Sequence, residues 1–211
     1  MEILKNFVVF EGLDGSGTTT QIEMLESYFL HKRPFSPPLH ITFEPTNGSI
    51  GKLIRQALGK ELILNPKTIA MLFAADRNEH IFGPEGITER CKRGELVVSD
   101  RYFPSSLVYQ GITCGEELPA SLNKDFPCPE LLLFLDIDSE TAQKRIAARG
   151  KNEEIYENPD FQALVRQRYK ILLPQLSAYG VKIQTIDASL PREEVAMEVW
   201  KAMEKLPILK G

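Results

Sequence analysis

Five short apolar runs punctuate the chain: Phe7-Val8-Val9-Phe10, Leu39 to Phe43, Leu96-Val97-Val98, Leu131 to Leu135 and Val181 to Ile186. They are read as continuous rather than alternating, the pattern expected of strands covered by helices on both faces. Helical periods lie between them. From Thr19, Ile22, Leu25 and Phe29 follow at three- and four-residue steps, and from Ser139, a residue able to cap a first turn, Ala142 and Ile146 share a face. Asn158-Pro159 reads as a helix start, since proline's missing N–H costs nothing at the first position, and Pro174 is expected to kink or divide that helix. Arg33 to Pro38 reads as a stiff surface connection. With no internal repeat, residues 1–211 are expected to form one α/β domain around a parallel, doubly wound sheet with right-handed crossovers. Ligands then collect at the carboxyl ends of the strands.

Two segments carry chemistry at those ends. The first strand runs into Gly12-Leu13-Asp14-Gly15-Ser16-Gly17-Thr18-Thr19, followed by a helix. Glycines let such a loop wrap closely and turn its N–H groups inward, and the helix N-terminus adds its dipole, so the context favours a phosphate. Thr19 stands where the last hydroxyl of a GxxxxGK[ST] loop would meet a phosphate-bound Mg²⁺, but the lysine of that pattern is Thr18. After the third strand come Asp100 and Arg101, placed to orient a metal and to clamp a transferring phosphoryl group. Phe73 and Arg77, four apart in a helical stretch, can present a ring and a guanidinium on one face. Ser105-Ser106 and Tyr109-Gln110-Gly111 would follow on a short helix.

Composition narrows the field. Twenty-nine acidic against 25 basic side chains leave a net charge of −4, which argues against a nucleic-acid polymer or a polybasic membrane anchor as partner. Three cysteines without a CxxC pair argue against a disulfide framework or zinc. No apolar run approaches the ~18 residues of a membrane span, and Met1-Glu2-Ile3 opens no signal-peptide pattern, so a cytoplasmic protein is expected. Lys144, Arg145, Arg149 and Lys151 gather positive charge in a stretch, 144–158, that suits a small lid hinged at Gly150.

Taken in order, Phe10 to Gly17, Glu44-Pro45, Phe73 to Arg77, Ser99 to Tyr102, Tyr109 to Gly111, Leu135 to Asp138, Arg145 to Gly150 and Ile186 to Ser189 resemble the thymidylate kinases, within the P-loop nucleoside monophosphate kinases. The resemblance runs from Phe7 to about Trp200. It implies a P-loop kinase fold with a five-stranded parallel sheet, and transfer of the ATP γ-phosphoryl group to dTMP with Mg²⁺ in dTTP synthesis. It further implies that Gly12 to Thr19, Arg145 and Ala188 hold ATP, with Ala188 bordering adenine, and that Thr19 and Asp100 hold the metal. Asp14 would accept the 3′-hydroxyl, Phe73 would stack on thymine, and Arg77 would contact the base edge or phosphate. Ser105 would help hold the pyrimidine, Tyr109 would lie against the sugar, and Gln110 completes the acceptor set. Arg101, Asp100 and Arg149 are the implied catalytic residues, and the family is usually a homodimer.

Three departures from the family pattern each remove a cation: Thr18 in the loop, Phe43 before Glu44-Pro45, and Glu153-Glu154-Ile155 in the lid. Phosphoryl transfer depends on positioning and positive charge. Arg101, Arg149, Arg145 or Lys151 can take over the charge. A kinase for another deoxynucleotide or a deoxynucleoside, and a catalytically weak nucleotide-binding protein, stay open as alternatives.

Overall fold

The computed structural model describes residues 2–32, 37–148 and 155–210. Its centre is a five-stranded, wholly parallel sheet in the order β2-β3-β1-β4-β5, built from β1 (Ile3–Gly12), β2 (Leu39–Phe43), β3 (Leu96–Asp100), β4 (Cys128–Asp136) and β5 (Lys182–Asp187). All five apolar runs of the sequence are strands. Phe7 to Phe10 and Leu132 to Leu135 are buried almost completely because helices cover both faces of these central strands.

The helices that matter for function are α1 (Thr18–Lys32), α2 (Ser49–Leu58), α3 (Pro66–Phe82), α4 (Ile87–Lys92), α5 (Phe103–Cys114), α6 (Glu117–Asn123), α7 (Ser139–Ala147), α8 (Pro159–Ala178) and α9 (Arg192–Met203). Asn158 caps α8 by accepting from the N–H groups of Asp160 and Phe161, as its sequence signal indicates. Two details differ from expectation. Asp138, not Ser139, caps α7, accepting from Thr141 N–H at 2.8 Å, because a carboxylate one residue earlier has the reach and the favourable charge. Pro174 does not divide α8, which continues through it to Ala178 with Leu173 and Leu176 buried on either side. Packing of that apolar face outweighs the hydrogen bond the proline removes.

Register fixes the site. Phe10 pairs with Asp100 and Gly12 with Leu135, so the loops after β1, β3 and β4 open side by side at one sheet edge. No disulfide joins Cys91, Cys114 and Cys128, and no described helix is long and apolar enough to cross a membrane.

Candidate active site

The loop from Gly12 to Thr18 folds against its neighbours without room to spare. Gly15 has φ +84°, and a Cβ there would lie 2.5 Å from the Ala142 carbonyl oxygen. At Gly12 a Cβ would meet Ser16 Oγ at 2.4 Å. These positions take glycine because the backbone itself closes against α7 and β4. The Thr18 side chain is buried at the start of α1, while Thr19 is exposed and donates its hydroxyl to Asp100 Oδ2 at 2.8 Å. The other carboxylate oxygen, Asp100 Oδ1, is buried and has no hydrogen-bond partner among the described residues. A hydroxyl beside a carboxylate with an orphaned oxygen suits a hard cation that takes its remaining ligands from water and phosphate.

Arg101 follows with φ +71°, a left-handed backbone that costs a side-chain-bearing residue energy and clusters at functional sites. Its guanidinium pairs with Asp14 Oδ1 at 2.6 Å and donates to the Gly12 carbonyl, Ser105 Oγ and Tyr109 Oη at 3.1, 3.2 and 3.4 Å. It also lies 5.4 Å from the centre of the Tyr109 ring. Burial alone would lower its pKa, but Tyr109, Asp14, Tyr169 and Asp100 together hold it well above the ordinary arginine value. Burial, in contrast, pushes the Tyr109 hydroxyl up, against the downward pull of Arg101.

Asp14 gathers a second set of partners. Gln162 donates to Asp14 Oδ2 at 2.8 Å and to the Tyr156 carbonyl at 2.7 Å, and Asp14 N–H donates back to Gln162 at 3.3 Å. Helix α8 therefore ties the phosphate loop to Tyr156. That ring stacks on Phe161 at 5.2 Å and leans on Tyr109 at 5.5 Å.

Arg77 is almost wholly buried. Its Nε and Nη2 engage Glu44 Oε2 at 2.9 and 2.7 Å, Nη1 donates to Asn123 at 2.5 Å, and Nη2 also reaches Ser106 Oγ at 3.0 Å. His80 Nδ1 lies 3.1 Å from the other Glu44 oxygen. The charge of Arg77 is thus compensated and its plane fixed, which suits it to read an edge rather than to neutralise a phosphate. Arg55 is the opposite case. It donates to the carbonyls of Pro45 and Thr46 and to Asn47 Oδ1, and lies 5.9 Å from the Phe43 ring centre. Among the described residues no carboxylate pairs with it, so its charge is left for an anion. Asp76 steadies this corner by accepting from Thr46 N–H and hydroxyl, both at 2.7 Å.

Two cavities result. One, of about 200 Å³, is lined by Phe73, Arg77, Ser105, Ser106, Tyr109 and Gln110 among others; the second, of about 510 Å³, lies over Gly15, Gly17, Thr18, Thr19 and Asp100. They share Asp14, Glu44, Pro45, Arg55 and Arg101 as a common wall. Arg145 stands on the far side, donating to the Ala188 carbonyl at 2.9 Å and to Ser16 O at 3.5 Å.

The sequence-derived residues thus fall into one region, with two qualifications. Ser105 lines the smaller cavity, but its hydroxyl is bound to Glu11 at 2.6 Å and near Arg101, while Ser106 is the serine that reaches Arg77. Arg149, with Gly150 and Lys151, lies outside the described residues. Gln110 Oε1 is buried and has no hydrogen-bond partner among the described residues, which leaves an acceptor free in the smaller cavity. Sequence reasoning missed Arg55, Glu11, Gln162 and Tyr156. Gln162 was detectable: with Val165, Tyr169, Leu173 and Leu176 it occupies the apolar stripe of α8, where a polar side chain needs a reason.

A family model described as thymidylate kinase matches residues 10–199. A protein of Treponema pallidum named as a thymidylate kinase is 43% identical over 197 residues, covering 92% of this chain and 91% of that one. Proteins so named from Pyrobaculum aerophilum and Methanocaldococcus jannaschii are 37% and 36% identical, each over 95% of this chain and 97% of its own length. By its fold, by the two cavities meeting at Arg101 and by similarity over nearly its whole length, the chain belongs to the thymidylate kinase family.

Proposed function

We propose that the protein phosphorylates dTMP to dTDP with ATP and Mg²⁺. The observation that carries this reading is the shared wall: a small aromatic and amide-lined cavity and a phosphate-loop cleft meet at Arg55 and Arg101. The smaller cavity takes dTMP, with Phe73 against thymine, Arg77 and Ser106 at its edge, and Asp14 and Tyr109 at the deoxyribose. The cleft takes the ATP phosphates on the amides of Gly15 to Thr19, with adenine toward Arg145 and Ala188.

An oxygen of the dTMP phosphate attacks the γ-phosphorus in line. The new O–P bond forms as the bond to the β,γ-bridging oxygen breaks, giving dTDP and ADP. No general base is needed, because the attacking oxygen is already anionic. The work of the residues is alignment and charge neutralisation. Arg101 and Arg55 stand in the wall common to the two cavities, so a guanidinium just after β3 and one on α2 would supply the charge that Thr18 lacks. Thr19 and Asp100 would hold Mg²⁺, which would neutralise charge on the phosphate oxygens when bound.

Cytoplasmic placement and a homodimer complete the proposal. Exposed Met71 and Phe82 on α3 offer apolar surface for a second copy, to be checked by light scattering. The activity itself is tested by coupled ADP release over a panel of dTMP, dUMP, UMP and thymidine, with and without EDTA. Turnover is expected with dTMP above the others and only with free Mg²⁺. Preference for a nucleoside, or no turnover with any acceptor, would overturn the reading.

A further inference from the structure

Glu11 is wholly buried at the end of β1, and nothing in the reaction described above uses it. Its Oε1 accepts the N–H groups of Tyr102 and Ser105 at 3.0 and 3.3 Å. Its Oε2 accepts the hydroxyls of Ser105 and Tyr169 at 2.6 and 2.7 Å. Tyr102 occupies the N-cap position of α5 but supplies no side-chain cap, so a carboxylate from 91 residues earlier in the chain takes that role. The same contact bears on Arg101. Its left-handed backbone is pinned on one side by its own N–H donating to Phe10 O at 2.9 Å, and on the other by Glu11 holding the next N–H.

The side-chain proton order points the same way. An ionised Glu11 can only accept, so the Tyr169 and Ser105 protons turn toward Oε2, that of Ser105 directly or by way of Tyr169 Oη 2.9 Å away, and a Ser105 lone pair faces Arg101 Nη1 at 3.2 Å. A protonated Glu11 must donate its own proton to Ser105 or Tyr169, which disturbs that order and removes a negative charge behind Arg101. The charged and titratable groups that act on Glu11 are Arg101, just after β3, and Tyr169 on α8, with Tyr102 holding it through its N–H; Arg101 in turn faces Asp14, Asp100 and Tyr109. On the β4 side it faces the apolar Phe134. Burial raises its carboxyl pKa to about 7, against the downward pull of Arg101, Ser105, Tyr169 and the Tyr102 N–H.

We propose that Glu11 is a positioning residue for phosphoryl transfer: as a carboxylate it orders the Ser105 proton and the first turn of α5, and so sets Arg101 where the two cavities join. The inference rests on the reading of Arg101 given above. Because Glu11 titrates near working pH, turnover should rise as it ionises.

The test compares kcat and KM for dTMP from about pH 5.5 to 9 in the wild type, Glu11→Gln, Tyr169→Phe and Arg101→Ala. Ionisation of the substrate phosphates contributes equally to all four profiles. Glu11→Gln is expected to lower kcat roughly 10- to 100-fold with little change in KM, and to lose an acid limb that the wild type shows near neutrality. Tyr169→Phe removes a donor to the ionised form and should move that limb to higher pH by about half a unit. Wild-type kcat in Glu11→Gln, or a limb unmoved in both variants, overturns the inference. If Glu11→Gln does not fold, the limb in Tyr169→Phe decides alone. Unimpaired turnover in Arg101→Ala brings down the reading of Arg101 and this inference with it. Lost turnover there, with an unchanged limb in Glu11→Gln, brings down this inference only.

Discussion

At Thr18 the chain gives up the ammonium that a phosphate loop of this shape ordinarily carries. The buried hydroxyl there adds no charge, and the cations that line the cleft among the described residues are Arg55 and Arg101. Arg101 is already paired with Asp14, whereas Arg55 has only neutral oxygens around it. Arg55 should therefore matter most to the incoming phosphate. Arg55→Ala is expected to lower kcat/KM for dTMP by about 10- to 100-fold, the worth of a charged hydrogen bond or two, and steady-state kinetics will check it. Thr18→Lys is expected to lower the KM for ATP or raise kcat, because the cleft is under-charged. A Thr18→Lys enzyme without activity would show that its charge is balanced differently. Arg101 and Asp100 were legible in the sequence because they stand together just past a clear apolar strand. Arg55 was not. It lies in a helix whose alternating polar residues look like an ordinary solvated face, and its role depends on carbonyls at Pro45 and Thr46 that only the fold brings to it.

The three central strands could be read from their unbroken apolar runs, which cover by helices on both faces requires, whereas the edge strands β2 and β5 interleave His40, Thr42, Lys182, Gln184 and Thr185 and are only partly buried. The short helices α2, α4 and α6 could not, because six to ten residues hold too few periods and are stabilised by packing rather than by their own sequence. The contact of β1 with α5 and α8 through Glu11 was equally hidden, its partners lying 91 to 158 positions away. That contact has a stability signature opposite in sign to its effect on turnover. The folded pKa of Glu11 is raised from 4.5 to about 7, so the fold binds a proton that the unfolded chain releases. The contribution is fully present below about pH 4.5 and is lost as pH rises through about 7, with a magnitude on the order of 3 kcal/mol. Urea denaturation at about pH 5 and pH 8 should show a larger loss of stability on going alkaline in the wild type than in Glu11→Gln. An equal loss in both would mean that Glu11 does not titrate in this range.

Across the whole molecule, the order β2-β3-β1-β4-β5 brings the loops after β1, β3 and β4 to one edge, and α2, α3, α5 and Tyr156 ahead of α8 close an aromatic cavity against them. The family pattern was legible because its pieces are short motifs at strand ends. The way the two cavities share Arg55, Asp14 and Arg101 was not, since it belongs to no single segment. We propose that loop amides, the guanidinium of Arg101 just after β3 and that of Arg55 on α2 hold the reacting phosphates without a loop lysine. The most direct test is an experimental structure with dTMP, Mg²⁺ and a non-hydrolysable ATP analogue bound. The terminal phosphate of the donor should lie on the amides of Gly15 to Thr19, with Arg101 or Arg55 in contact with it. A terminal phosphate lying away from that loop, untouched by either arginine, would contradict it.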